Sequence, residues 1–426
     1  MKTMLTLLIS FFTLVFLRVP IAISLALATI FMLFMADFNM NMMPQRMFTA
    51  LDSFPMMAIP GFVLAGAIMA RGGISKYLIE ALRAWVGHLP GGLSVVTILA
   101  CGIFAAISGS SPATAAAIGS IMIPALVAAG YEKKYALGLV AAGGTLGILI
   151  PPSVPLIIYG ITSEESIGKL FMAGAIPGLG LLAVLIVASI VYAKMQGYQG
   201  DEKATWEERG RKSLKAIWGA FLPVLILGTI YSGVVTPTES AIIAVVYGLI
   251  VSIFIYRELS WKDFRQILVE SINVTAMIFL IIGAASLFGL YLTNEQVPQK
   301  VGAWIAESGI NKWIFLLIVN LLFFILGMFL EAVSIILITL PILLPILKHF
   351  GIDLYHFAII MVINLELGMI TPPVGLNLFV VAGIAKEKLG MVIRGVIPFI
   401  VLMIAYLVVV ILFPQLSLWL PFGIGK

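Results

Sequence analysis

Two Pro-Pro pairs lie inside long apolar stretches of this sequence, where they can expose backbone groups that bind ions. The segment Gly147-Ile-Leu-Ile-Pro-Pro-Ser153 reappears as Gly368-Met-Ile-Thr-Pro-Pro-Val374. Because proline donates no backbone hydrogen bond, a helix that breaks there leaves carbonyl groups without helical partners. N–H groups are left at the start of the helix that follows, where the helix dipole favours an anion. The breaks therefore predict carbonyl groups that bind a cation and N–H groups that bind an anion.

Short polar or small segments elsewhere in the chain could complete these sites. Ser108-Gly-Ser-Ser111 and Glu331-Ala-Val-Ser334 each interrupt an apolar stretch. Hard cations prefer oxygen ligands, and the sequence shows no cluster of carboxylates for a divalent ion. Na⁺ is therefore the expected ion, and no organic cofactor is expected. The candidate Na⁺-binding residues are Ser108, Ser110, Gly147, Ile150, Gly327, Gly368, Thr371 and Val374.

The same residues have a simpler interpretation, and two carboxylates offer another. Gly and Pro also kink helices and allow them to pack closely, although two symmetric breaks opposite two polar tips favour ion sites. Glu331 and Glu366 lie in otherwise apolar segments, where a carboxylate is a functional candidate. They could carry a coupling proton instead of Na⁺. Glu331 could equally accept hydrogen bonds from backbone N–H groups at its tip.

Polar side chains near the tips and breaks are candidates for binding a solute. They are Ser111, Thr114, Ser153, Ser334 and Asn377, with Ser110 close by. Asn377 follows Pro373 by four residues, where a second half-helix begins. No Lys or Arg lies at the same depth, so we expect helix N-termini and hydroxyl groups to hold an anionic solute.

Composition places these residues in a membrane. Hydrophobic residues make up 62% of the 426 residues, charged residues make up 11%, and the mean hydropathy is +1.14. A soluble domain is about half apolar and a quarter charged. The net charge of +5 fits basic cytoplasmic loops better than nucleic-acid binding. The sequence lacks a His-Glu-x-x-His motif, a phosphate-binding Walker loop and a nucleophile elbow, so we expect a gradient-driven transporter rather than an enzyme.

The repeated break divides the chain into two halves. Each half is predicted to hold five spans and one re-entrant helical hairpin, in an all-α fold. The first half covers residues 1–198, with a hairpin at about 91–128 and a broken helix at about 133–162. A cytoplasmic linker covers 199–215. The second half covers 216–426, with a hairpin at about 312–349 and a broken helix at about 354–384.

Charge asymmetry gives the orientation of the halves. An odd number of spans in each half requires the second half to be inverted. With the N-terminus outside, eighteen of the 25 Lys and Arg residues fall on the inner side, as the positive-inside rule requires. The sequence therefore predicts a multi-pass protein of a bacterial inner membrane, with both termini on the periplasmic side.

These motifs together resemble the large membrane subunit of tripartite ATP-independent periplasmic (TRAP) transporters. The resemblance rests on Ser108-Gly-Ser-Ser-Pro-Ala-Thr114, the Gly143–Ser153 stretch and its repeat at Gly368–Val374. It implies Na⁺-driven uptake by an elevator mechanism, in which the hairpins and broken helices move against a scaffold. One Na⁺ site would then involve Ser108 and Gly147, and the other Gly327, Gly368, Thr371 and Val374.

The resemblance also implies partners and a class of solute. The partners are a small four-helix membrane subunit, expected as a separate chain, and a periplasmic substrate-binding protein. Solutes of the family are organic acids, and the residues of these motifs are most similar to those of the sialic-acid branch. A C4-dicarboxylate transporter of the same family is the first alternative. A carrier of ions or dicarboxylates that needs no binding protein is the second, and a membrane scaffold that transports nothing is the third.

Overall fold

Helices are the regular secondary structure of the described chain, and short turns and loops connect them. A computed structural model describes residues 2–423, and no β-strand occurs within that range. The outer ends of the two predicted halves, residue 1 and residues 424–426, lie outside it. Nine of the described helical segments are long and apolar enough to cross a membrane. Several shorter apolar helices lie among them, as expected for hairpins and broken spans. The predicted all-α membrane fold is confirmed.

Ten helices precede the linker between the halves. They are α1 (Lys2–Phe16), α2 (Ile21–Met35), α3 (Met42–Leu51), α4 (Ala58–Arg71), α5 (Ile74–Val86), α6 (Gly92–Ser108), α7 (Ser111–Ala128), α8 (Lys133–Leu149), α9 (Val154–Ser163) and α10 (Ile167–Gln196). A short 3-10 turn, Phe54–Met57, leads into α4. Helices α6 and α7 cover the region expected for the first hairpin, and α8 and α9 cover the region expected for the first broken helix.

Ten helices follow the linker and repeat this order. They are α11 (Trp206–Tyr231), α12 (Pro237–Ile250), α13 (Trp261–Asn294), α14 (Val297–Glu307), α15 (Lys312–Gly327), α16 (Ala332–His349), α17 (Leu354–Met369), α18 (Leu376–Ala385), α19 (Leu389–Leu412) and α20 (Gln415–Phe422). A π-helical turn, Val251–Ile255, extends α12. The hairpin α15–α16 corresponds to α6–α7, and the broken helix α17–α18 corresponds to α8–α9.

Helix α11 begins earlier than the expected span. The side chain of Thr205 accepts a hydrogen bond from the backbone of Glu208, and the Glu208 side chain accepts one from the backbone of Thr205. This capping box satisfies N–H groups that the first turn would leave free. Residues 206–215, which we expected in the linker, therefore form the first turns of α11.

Both Pro-Pro pairs break their helices. Helix α8 ends before Pro151-Pro152 and α17 ends before Pro372-Pro373, and the peptide bond within each pair is cis. Helices α8 and α17 are buried along nearly their whole length. A helix that is apolar on all sides belongs in the interior, so the two broken helices form the centre of the molecule.

An amphipathic helix, α5, connects the two halves at the cytoplasmic side expected from charge. Its buried residues include Ile74, Leu78 and Ala81, which recur at helical spacing. Its polar face makes ion pairs with residues beyond α10. They join Lys76 to Glu258 at 2.8 Å and Arg83 to Asp201 at 2.6 Å, while Arg71 at the end of α4 contacts Glu270 at 2.7 Å.

Candidate functional site

The first hairpin meets the first break deep in the protein. Helix α6 ends at Ser108, and Gly109 takes a left-handed conformation (φ +60°) that reverses the chain. Ser110 then caps α7 by accepting a hydrogen bond from the N–H of Ala113. The carbonyl of Gly109 accepts a hydrogen bond of 3.3 Å from the N–H of Val154. The tip of the first hairpin therefore contacts the middle of the broken helix, as the predicted re-entrant hairpin requires.

Oxygen atoms cluster where this hairpin faces α8. The hydroxyl groups of Ser108 and Thr114 lie 2.9 Å apart, and that of Thr114 donates to the carbonyl of Ser110 at 2.9 Å. A methyl group on Gly147 would lie 2.4 Å from the Ser110 carbonyl oxygen and 2.7 Å from the Thr114 hydroxyl. Glycine is therefore required here for α8 to reach these oxygens. The cluster contains three of the four Na⁺ candidates of this half.

The fourth candidate of the first half lies apart from the cluster. Ile150 caps the end of α8 and donates its N–H to the carbonyl of Leu146 at 3.0 Å, and its side chain faces α10, where a methyl group on Gly178 would lie 2.8 Å from it. Thr114, which we expected to bind solute, lies among the Na⁺ candidates instead. Thr114 is one helical turn after Ser110, and its side chain is directed back towards the N-terminus of α7. Its hydroxyl therefore contacts the carbonyl of Ser110.

The second hairpin and second break also meet at glycines. A methyl group on Gly327 would lie 3.0 Å from the Cα of Gly368. The carbonyl of Met328 accepts a hydrogen bond of 3.1 Å from the N–H of Gly375, within the break. Thr371 donates its hydroxyl to the carbonyl of Leu367 at 2.6 Å. The structure thus brings Gly327 and Gly368 together and places Thr371 and Val374 in the connection after them.

A pocket of about 280 Å³ lies between the hairpin tips and two spans. Helices α7, α9, α16 and α18 all begin at its wall, so four helix N-termini converge on one space. Helix N-termini favour negative charge. The residues at these ends are Ser110, Ser111, Pro112, Val154, Pro155, Glu331, Ala332, Val333 and Leu376.

The opposite wall of the pocket is apolar and could not be identified from the sequence. Val63 of α4 contributes to it, as do Val274, Met277 and Ile278 of α13. No Lys or Arg lines the pocket among the described residues. Spans contain many Val, Met and Ile residues, so no sequence signal distinguishes these four from residues that face lipid.

The predicted solute residues occupy different positions around this pocket. Ser111 lines it and accepts a hydrogen bond of 2.7 Å from Asn377. Asn377 and Ser334 are fully buried behind the wall. Ser153 caps α9 and donates to the carbonyl of Ile148 at 2.5 Å. Ser111 therefore lies on the pocket wall, together with Ser110, which the sequence offered for both Na⁺ and solute.

The two candidate carboxylates lie in different surroundings. Glu331 lines the pocket at the start of α16. Glu366 is fully buried in α17, and neither of its carboxylate oxygens has a hydrogen-bond partner among the described residues. The described residues also contain no group of three or more His, Cys, Asp or Glu side chains arranged to hold a metal ion. The pocket thus has one ionisable side chain, Glu331, among four helix N-termini.

Comparison with known proteins gives consistent matches along the chain. Residues 8–416 match the family described as "Tripartite ATP-independent periplasmic transporter, DctM component". The C4-dicarboxylate TRAP transporter large permease protein DctM of Pseudomonas aeruginosa is 44% identical over 380 residues, covering 89% of each chain. The sialic acid TRAP transporter large permease protein SiaM of Vibrio cholerae is 37% identical over 409 residues, covering 96% of each chain.

A solved structure shares the fold. The YdaH transporter of Alcanivorax borkumensis superimposes with a TM-score of 0.64. The match covers 90% of this chain and 88% of that chain, at 16% sequence identity. At that identity the likeness concerns the arrangement of helices alone.

Proposed function

Since this chain belongs to the DctM family of tripartite ATP-independent periplasmic transporters, we propose that it carries a C4-dicarboxylate across the inner membrane, driven by Na⁺. The resemblance expected from the sequence is confirmed at the level of the family, and the chain is a multi-pass membrane permease. The observation that carries the proposal is the convergence of four helix N-termini on one pocket without Lys or Arg. Such a pocket suits carboxylate groups.

The size of the pocket and the relatives favour a small acid. A volume of about 280 Å³ lies just below the roughly 300–1,000 Å³ that encloses drug-sized ligands. The compared C4-dicarboxylate permease is more similar to this chain than the compared sialic-acid permease, at 44% against 37% identity. We therefore rank a C4-dicarboxylate first and keep sialic acid, ranked first from the sequence motifs, as the second candidate.

Two features support coupling to a cation. The oxygen cluster of Ser108, Ser110, Thr114 and Gly147 lies at the tip that also forms the pocket wall. Glu331 lines the same pocket, and a carboxylate disfavours a bound anion unless a cation or proton offsets the charge. Na⁺ bound at the oxygen cluster would supply that charge next to the solute.

The proposal includes two partners and a mode of movement. We expect a small four-helix membrane subunit to complete the permease and a periplasmic binding protein to deliver the acid. The hairpins and the broken helices α8–α9 and α17–α18 would move together as the transport domain. The apolar wall from α4 and α13 would belong to the scaffold, so that the pocket lies at the boundary between moving and fixed parts.

Uptake into proteoliposomes tests this function. The chain is reconstituted with its small subunit, and labelled succinate or sialic acid is supplied with its own binding protein, with or without an inward Na⁺ gradient. Succinate uptake that requires both Na⁺ and the binding protein is expected. Uptake of sialic acid alone would overturn the choice of solute. Uptake without Na⁺ would direct attention to protons on Glu331 and Glu366, and uptake without the binding protein would indicate a carrier that acts alone.

A further inference from the structure

A groove on the outside of the helical core is separate from the solute pocket. It has a volume of about 570 Å³ and lies between α10 and α19, beside the start of α8. Its lining is apolar apart from two tyrosine hydroxyl groups. The lining residues are Tyr135, Ala183, Val184, Val187, Ala188, Val191, Tyr192, Met195, Pro398, Phe399 and Leu402.

The groove opens towards the hydrocarbon of the membrane. Val187 and Met195 of its lining are 59% and 78% exposed, and both lie in a helix long and apolar enough to span a bilayer. From Ala183 to Met195 the groove follows thirteen residues of α10, and the twelve steps between them cover about 18 Å at about 1.5 Å per residue. This is close to the roughly 15 Å depth of one leaflet, half of the hydrocarbon core of about 30 Å. A membrane-spanning helix of a partner protein would need a groove about 30 Å long, so the length of this groove fits one lipid acyl chain better.

Two basic residues without ion-pair partners stand at the cytoplasmic end of the groove. Lys194 precedes Met195 on α10, and Arg394 lies one turn before Pro398 on α19. Both are exposed, and neither forms an ion pair with another described residue.

Two neighbouring basic residues at this end are neutralised. Lys133 is paired with Glu387, and Lys134 is paired with Glu132 at 2.7 Å. Lys386 and Lys388, just before α19, are exposed and unpaired among the described residues. Lys194 and Arg394 are the unpaired basic residues at this end of α10 and α19, the two helices that form the groove.

We propose that this groove binds an anionic phospholipid of the cytoplasmic leaflet. One acyl chain lies along α10 and α19, and the phosphate contacts Lys194 and Arg394. Tyr192 and Tyr135 lie near the headgroup, at the depth where membrane proteins concentrate tyrosine. The charge, the apolar lining and the length of one leaflet together identify a lipid rather than a soluble anion. The assignment uses the membrane orientation expected from charge and is independent of the solute carried.

Native mass spectrometry of the purified, delipidated membrane complex tests this site. Phosphatidylglycerol and phosphatidylcholine with identical acyl chains are titrated against the parent protein, two groove variants and two control variants. Ala188→Phe fills the groove, and Lys194→Gln with Arg394→Gln removes the charges. Ala405→Phe makes the same apolar change at an exposed position of α19 outside the groove. Lys203→Gln with Arg211→Gln is the control for the loss of two cytoplasmic charges.

The parent protein is expected to bind phosphatidylglycerol more tightly than phosphatidylcholine. The paired charge variant should bind phosphatidylglycerol about thirtyfold more weakly, given the contribution of two basic residues near a lipid surface. Ala188→Phe should also bind it more weakly, because its ring fills the space of the acyl chain. Both control variants should bind as the parent does. Equal binding of the two lipids, or unchanged binding by both groove variants, would overturn the proposal. If Ala188→Phe does not fold, the paired charge variant decides it. Displacement of the lipid by glycerol phosphate would show that the site takes a soluble anion.

Discussion

The Cα atom of Gly327 lies so close to Gly368 that a methyl group on Gly368 would be 2.5 Å from it. Carbon atoms cannot approach that closely without displacing one another, and the opposing atom is backbone rather than a flexible side chain. Gly327 of α15 and Gly368 of α17 are 41 positions apart in the sequence (368 minus 327), and their backbones are in direct contact because neither residue has a side chain. This contact fixes the second hairpin against the second broken helix.

Gly368→Ala should therefore separate these elements and abolish uptake. Overpacking of a rigid contact costs about 1–3 kcal/mol, so the melting temperature of the purified complex should also fall. The control is Gly383→Ala in α18, where no atom lies within 4 Å of the added methyl group. Uptake at the parent rate by Gly368→Ala in proteoliposomes would contradict the assigned role.

Ser108→Ala should weaken the response to Na⁺. The substitution removes the hydroxyl that lies 2.9 Å from Thr114 in the oxygen cluster. A lost hydrogen-bonding or charge-binding group of this kind is worth about 1.5–3 kcal/mol, which corresponds to at least about tenfold in the Na⁺ concentration for half-maximal uptake. Ser120→Ala, a serine of α7 whose hydroxyl contacts its own helix, should leave the Na⁺ response unchanged. An unchanged Na⁺ concentration for half-maximal uptake in Ser108→Ala would show that the oxygen cluster does not bind the coupling Na⁺.

Ser111→Ala should affect the solute rather than Na⁺. Ser111 lines the pocket and accepts a hydrogen bond from Asn377. Its removal should raise the KM for the acid by about tenfold, as expected for a lost hydrogen bond to a charged group. The Na⁺ dependence should keep its midpoint. If both variants shifted only the Na⁺ midpoint, the cluster and the pocket would be one site.

Glu258→Gln should lower the stability of the folded protein at neutral pH but not at acid pH. Hydrogen bonds from Lys76 and then from Tyr77 hold the pKa of Glu258 below its ordinary value of 4.5. A carboxylate with a lowered pKa stabilises the folded protein above its ordinary pKa, and this contribution is lost as the pH falls through the folded value. Exposed pairs contribute about 0–1 kcal/mol, so the effect should be small.

The melting temperature of Glu258→Gln should lie slightly below that of the parent at pH 7, and the two should converge as the pH drops below 4.5. Glu202→Gln, in the linker, is the control because Glu202 makes no ion pair with a described residue. A difference that grew on acidification would show that Glu258 acts through another interaction.

Proline, glycine and small polar residues made much of this fold predictable. The pair Pro151-Pro152 and its repeat identified both broken helices, because proline removes a backbone donor wherever it stands. The capping pattern of Thr205 and Glu208 is also visible in the sequence. It fixes the start of α11 at Trp206, ten residues before the expected span at 216. The many charged residues between 206 and 215 are typical of a linker, but here they form the polar first turns of a helix.

The direction of side chains was harder to predict than the helices. Ser153 and Ser111 both follow the pattern of a hydroxyl at a break or tip, yet Ser153 caps α9 while Ser111 faces the pocket. Which way a hydroxyl points depends on contacts between distant elements. The pocket wall on α13 depends on such contacts as well, since Met277 resembles any other apolar residue of a span.

The ion pairs and helix contacts that join the two halves have a consequence for how the chain is made. Helix α4 packs on α12, α2 on α13 and α8 on α19. Arg71 and Lys76 form ion pairs with Glu270 and Glu258, which are made later in translation. The ribosome delivers residues 2–196 to the membrane first, so these helices reside there without their final neighbours until the second half is inserted. The faces of α2, α4 and α8 that pack on α13, α12 and α19 are therefore uncovered until the second half has been made.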